Sequence, residues 1–202
     1  MQLFFSCTPK EDYVKEKKKT IHVTDAFDSA RTSVQDKILH IFSGGDVYLL
    51  NGDTISETHS LAGLYAYNNY SPFWLNQKRI EDVLKILNLC YTDGLNPEDY
   101  QYSNLKSQYA TCLKDGITPE EALNIEISVS HSVLLYVKHL YRGKVDPLTI
   151  FPNWNYKQPA SEVVSDSMLV CYFTSNLDSL PAILKPKYEI YHSLRKKIKT
   201  FR

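Results

Sequence analysis

The span from Thr118 to Gly143 limits the fold more than any other part of this chain. Thr118-Pro119-Glu120-Glu121 combines an N-cap threonine, proline at the first helical position and a glutamate placed to bond back to the cap. Gly143 supplies the matching stop. Between them Leu123, Ile127, Ser130, Leu134, Val137 and Tyr141 form one helical stripe, and Ile125, Val129, Val133 and Leu140 widen it beyond what a surface helix needs. A helix to about Arg142 that is apolar on so many sides has to be surrounded, so it predicts the central helix of an all-helical core. His131 and His139 lie on it eight residues apart, about 12 Å at the helical rise. That is too far to share one metal ion and reads as core or rim histidine.

Other helical patterns are arranged to surround it. Phe27, Ala30, Val34, Ile38 and Ile41 recur at three and four from a helix start near Thr24, and Ser43-Gly44-Gly45 ends that pattern. Val47 to Leu50 with the turn Asn51-Gly52-Asp53 allows at most a short strand pair near 46–54. Helices are expected over about 57–70, over 78–90 with Asn76 as cap, and from Pro97 to about Leu113. Asp93-Gly94 closes one helix and Asn96-Pro97 opens the next. Prolines 147, 152 and 159 make 144–160 irregular, and helices follow over about 161–173 and 186–201. In the last, Tyr188, Tyr191, Leu194 and Ile198 are expected inward, with Arg195, Lys196, Lys197 and Lys199 outward. The fold class is therefore mainly α, a single helical domain of about six to seven helices over 23–202 behind an N-terminal tail or linker over 1–22.

Lysine plus arginine and aspartate plus glutamate balance at 23 each in 202 residues, which removes the basic footprint of a nucleic-acid binder. Cys90, Cys112 and Cys171 fall in apolar helical patterns and read as buried thiols. Cys7 follows Leu3-Phe4-Phe5-Ser6, which resembles the end of a bacterial lipoprotein signal, and the lysine-rich stretch 10–19 reads as the linker after such an anchor. A charged, frayed N-terminus is the other reading of that stretch. A membrane contact is expected only through lipidation of Cys7. No metalloprotease helix motif, phosphate-binding glycine loop or serine elbow is present in the sequence. The residues themselves predict no catalytic group, no metal site and no cofactor.

Four blocks carry a family resemblance. They are Leu61 to Trp74, with its Tyr-Ser-Pro-Phe-Trp turn; the joint Asp93-Gly94-Leu95-Asn96-Pro97-Glu98-Asp99-Tyr100; Tyr136 to Pro147; and Leu180 to Leu194. In that order they resemble the non-catalytic scaffold domain of the large bacterial murein L,D-transpeptidases. The resemblance implies a helical domain that packs against an L,D-transpeptidase catalytic domain, in cis or in trans, in the periplasmic cell envelope where peptidoglycan is crosslinked. The family's catalytic cysteine sits in a Ser-His-Gly-Cys motif that this sequence lacks, so no catalytic residue carries over. The chain is then a non-catalytic scaffold or binding module, or the N-terminal part of a complete enzyme. A generic helical interaction domain is the alternative outside that family. Peptidoglycan is a candidate ligand, and the contact residues expected for a partner or glycan are the aromatics Tyr70, Phe73, Trp74, Trp154 and Tyr156. The competing reading places these rings in the core, because aromatic side chains bury large areas.

Overall fold

Helix punctuation written into the sequence is used by the fold almost residue by residue. The computed structural model describes residues 23–44, 49–50, 53–54, 57–145, 165–175 and 177–200. The eight α-helices among them are α1 (Val23–Ser43), α2 (Thr58–Tyr67), α3 (Gln77–Leu89), α4 (Tyr102–Asp115), α5 (Pro119–Arg142), α6 (Asp166–Thr174), α7 (Leu180–Leu184) and α8 (Glu189–Ile198). The short α7 is the helix that the sequence pattern leaves out. A two-residue antiparallel pair, β1 (Leu49–Leu50) and β2 (Asp53–Thr54), sits within the expected interval, with Leu49 opposite Thr54. The architecture is mainly α.

α5 is the axis. Its capping box forms as the sequence predicts: the Glu121 amide donates to Thr118 Oγ1 at 3.2 Å, and the Thr118 amide donates to Glu121 Oε2 at 2.8 Å. The Thr118 hydroxyl also donates to Glu121 Oε2 at 2.7 Å, and the bonds from the Thr118 amide and hydroxyl hold the Glu121 carboxyl below the usual carboxylate range. α1, α2, α3, α4 and α7 all pack on this helix, so its side chains are buried nearly without interruption from Ala122 to Val137. α1 contributes Phe27, Ala30, Val34, Ile38 and Phe42 to the core. It starts no later than Val23, so Thr24 lies inside the helix and does not cap it.

The joint between α3 and α4 departs from expectation in one respect. Asn76 caps α3, Gly94 closes the 3-10 turn Cys90–Asp93 at φ 78°, and Asn96 accepts from the Glu98 amide, all as the residue types dictate. The helix expected from Pro97 is instead a 3-10 turn, Pro97–Tyr100, separated from α4 by Gln101 in the left-handed region at φ 55°. Tyr100 is the cause. Its ring is fully buried against Tyr136 of α5 at 5.6 Å, edge to face, and its hydroxyl meets His139 Nδ1 at 3.0 Å. A straight helix from Pro97 would not aim Tyr100 at α5 and also lay α4 alongside α3, so the chain turns at Gln101.

α8 also differs. Tyr191, Arg195 and Ile198 face the body of the protein, whereas Tyr188 and Leu194 are 75% and 57% exposed. The segment 146–164, including most of the expected irregular stretch, lies outside the described residues, as does the tail 1–22.

A Cβ added at Gly94 would have no heavy atom within 4 Å, so substitution there tests backbone conformation alone. Gly94→Ala is expected to lower stability by about 1–2 kcal/mol through the left-handed backbone requirement, read as a lower urea midpoint with an unchanged denaturant slope.

Candidate functional site

Among the described residues, a fully buried polar arrangement centres on Glu126, in the middle of α5. Its Oε1 accepts from the Phe73 amide at 2.7 Å and from the Tyr65 hydroxyl at 2.9 Å, and its Oε2 accepts from the Trp74 amide at 2.8 Å. One turn further along α5, Ser130 Oγ receives the Trp74 indole N–H at 2.7 Å and lies 2.6 Å from the Tyr65 hydroxyl. Since Tyr65 gives its proton to Glu126, Ser130 donates to Tyr65. One carboxylate and one serine on α5 thus satisfy two backbone amides, a phenol and an indole from the α2–α3 connection. Such donors are costly to bury without partners. Burial raises the Glu126 carboxyl to about 7, against the opposing pull of the Phe73 and Trp74 amides, the Tyr65 hydroxyl and the Arg31 charge.

α1 ties down the same connection. Arg31 Nη2 donates to the Leu75 carbonyl at 3.1 Å, and Gln35 Nε2 donates to the Asn69 carbonyl and to Ser71 Oγ. Asn69 and Tyr70 both adopt positive φ, 52° and 56°, to end α2 and start the turn. Around the Glu126 node Phe42, Tyr65, Phe73, Trp74 and Phe173 form a continuous ring cluster, with successive centroids 5.2 to 6.0 Å apart.

These positions correct part of the expected contact set. Trp74 is fully buried and Phe73 is 4% exposed, so both are core rings with no face left for a partner or glycan. The physical reason is that their backbone amides must reach Glu126, which draws the turn into the core. Tyr70 is half-buried and packs against the core edge. Trp154, Tyr156 and Cys7 lie outside the described residues. Sequence reasoning missed Glu126, yet a signal was available: Ile125-Glu126-Ile127-Ser128-Val129-Ser130 places one carboxylate inside a helix too apolar to expose it.

A second buried carboxylate, Asp93, stands at the α3–α4 joint. Its side chain is 2% exposed and lies 2.9 Å from Lys185 Nζ and 2.7 Å from Arg195 Nε, and it accepts from the Tyr191 hydroxyl at 2.8 Å. Arg195 Nη2 also donates to Thr92 Oγ1 at 3.2 Å. Arg195 therefore points inward, where the sequence pattern had placed it outward, because it neutralises Asp93. Among the described residues of α8 none is buried. The helix is held by these polar contacts to the turn Cys90–Asp93.

Neither node is arranged for chemistry. Cys90 and Cys112 are buried, and burial with the nearby Glu121 charge pushes the Cys112 thiol up to about 11, away from the reactive thiolate. Cys171, expected to be buried, is exposed on α6 and its sulfur lies 4.0 Å from Ser175 Oγ. Burial lowers the pKa of both His131 and His139. Among the described residues no three His, Cys, Asp or Glu side chains are grouped to hold a metal ion, and no helix is long and apolar enough to cross a membrane.

A helical framework whose best-formed polar sites are spent on joining its own elements defines a structural module. Residues 59–198 match the family model described as Scaffold domain, and the chain belongs to that family. Comparison with curated proteins and with solved structures gives no match.

Two substitutions test the two nodes. Glu126→Ala strands the Phe73 and Trp74 amides and is expected to destabilise the protein by about 3 kcal/mol or more, measured by denaturant unfolding. The folded carboxyl, raised above its ordinary 4.5, binds its proton more tightly than the unfolded one. Its contribution to stability is therefore fullest below pH 4.5 and falls as pH rises to about 7, by on the order of 3 kcal/mol. Glu126→Gln should abolish that part of the pH dependence. For Asp93→Asn, amide exchange in 189–198 should accelerate while α5 stays protected, because the substitution removes the charge that anchors α8.

Proposed function

We propose that this scaffold-family chain is a non-catalytic scaffold or binding module for peptidoglycan L,D-transpeptidation, packing against an L,D-transpeptidase catalytic domain supplied in cis or in trans. One observation carries the reading. The four blocks that resemble the L,D-transpeptidase scaffold fall inside or across the matched span 59–198, and their described residues join one another in the fold. Tyr65, Phe73 and Trp74 of the first block meet at Glu126 of α5, the helix that also carries the start of the third block. Tyr100 of the second packs on Tyr136 of the third, and Asp93 of the second binds Lys185 and Tyr191 of the fourth. The blocks thus behave as one structural unit, as a scaffold requires.

On this reading the chain works in the bacterial periplasm, with Cys7 as a lipid anchor where the N-terminus is processed, and peptidoglycan is a ligand that it helps to position. α8 is the surface suited to the catalytic domain. Ile190 and Leu194, one turn apart, are 72% and 57% exposed beside Lys196 and Lys197, while the opposite face of the helix is committed to Asp93. An apolar pair fringed by lysines fits an apolar patch bordered by carboxylates.

The test is association of the purified chain with the catalytic domain of an L,D-transpeptidase, followed by size-exclusion chromatography. Co-elution is expected. The double variant Ile190→Asp with Leu194→Asp should abolish it while leaving the melting temperature within a few degrees, since neither side chain is in the core. Absence of any complex, together with no retention on peptidoglycan sacculi, would refute the reading.

A further inference from the structure

Between α2, α5 and α6 lies a cavity of about 340 Å³ whose lining combines charge of both signs with an apolar floor. Its volume is at the lower end of the range for small-ligand pockets, roughly 300–1,000 Å³. Leu134 and Val137 of α5 and Leu169 of α6 form the floor, and all three are buried. Lys138 and Arg142, one turn apart on α5, stand on one side, with Glu57 before α2 and Asp166 at the start of α6 as the acidic groups.

The four charges are not equally committed. Lys138 Nζ lies 2.6 Å from Glu57 Oε1, and that pair is neutral as a unit. Among the described residues Arg142 makes no ion pair and Asp166 makes none, with each other or with a third group. The Asp166 carboxylate is fitted over the glycine of α2: a Cβ at Gly63 would stand 2.6 Å from Asp166 Oδ2. α2 therefore leaves room at that point for the carboxylate at the cavity edge.

From these placements we infer that the cavity binds a small zwitterion, an amino acid or short peptide carrying a free ammonium and a free carboxylate. Arg142 receives the carboxylate, since a guanidinium offers paired N–H donors to a planar anion. Asp166 receives the ammonium, and the leucine–valine floor takes a small apolar side chain. The lining rejects the alternatives by charge. With the Glu57–Lys138 pair neutral, a simple anion at Arg142 would leave Asp166 unmatched beside it, and a simple cation at Asp166 would leave Arg142 unmatched. This site stands apart from the α8 surface and does not depend on the transpeptidation reading.

The experiment is a titration of the full chain followed by amide NMR, with three probes: alanyl-alanine, its N-acetyl derivative and its C-terminal amide. The dipeptide is expected to give saturable shifts at the cavity residues, with each capped probe binding at least about tenfold more weakly, because each loses one charge-assisted contact. Arg142→Gln should equalise the dipeptide and its amide, and Asp166→Asn should equalise the dipeptide and its acetylated form. Both side chains lie at the surface or its edge, so a thermal melt should confirm that both variants fold as the parent does. Absence of saturable shifts, equal binding of the capped probes to the parent, or binding insensitive to both substitutions would overturn the proposal. None of these outcomes bears on association with a catalytic domain, so the two readings fail separately.

Discussion

A carboxylate buried in the central helix sets the terms for everything around it. Glu126 can occupy the core only if donors come to it, and the nearest supply is the backbone of the α2–α3 connection. Bringing the Phe73 and Trp74 amides to one carboxylate fixes the path of that turn within hydrogen-bond tolerance. Their rings then have to enter the core as well, where they complete the cluster with Phe42, Tyr65 and Phe173. The left-handed residues Asn69 and Tyr70 and the α1 contacts from Arg31 and Gln35 follow from the same demand, because the chain must leave α2 sharply and be held once it has turned. An apolar residue at 126 would pack, but it would leave the Phe73 and Trp74 amides without acceptors.

Asp93 plays the corresponding part at the joint between α3 and α4 with a different balance of forces. Glu126 is satisfied chiefly by neutral donors and sits near its point of titration. Asp93 is matched by two cations and a tyrosine, so it holds charge against charge. The first arrangement builds the interior, and the second attaches a helix that contributes no buried residue. In both places the partners are already supplied, so neither of these two carboxylates is left as the exposed, unbalanced group that acid–base chemistry requires.

Local rules reach a long way into this fold. The box at Thr118, the cap at Asn76, the left-handed Gly94 and the stop at Gly143 each act over three or four residues, and each is where its residue type requires. The central position of α5 was legible for a related reason, since only a surrounded helix can be apolar on so many sides. What could not be read depends on contacts across about 35 to 100 positions. The break at Gln101 answers to Tyr136 and His139 far along the chain. The inward turn of Arg195 answers to Asp93, and the burial of Phe73 and Trp74 answers to Glu126. Ring content alone marked the Phe73–Trp74 turn as important, but whether such rings face inward or outward is decided by where their backbone bonds go. The cavity beside Arg142 was invisible for the same reason, because its walls come from three separate helices.

The spacing of these partners along the chain also orders events during synthesis. The Phe73 and Trp74 amides precede their acceptor by 53 and 52 residues, and Tyr65 precedes Glu126 by 61. At translation rates of about 5–20 residues per second, the turn and its aromatic rings wait roughly 3–10 s before α5 offers them a carboxylate. Asp93 waits longer still, since Tyr191 lies 98 positions further on. Helices α1 to α4 therefore leave the ribosome as a set of apolar faces without an axis, and the middle of α5 is the point in the message at which they can first close into a core.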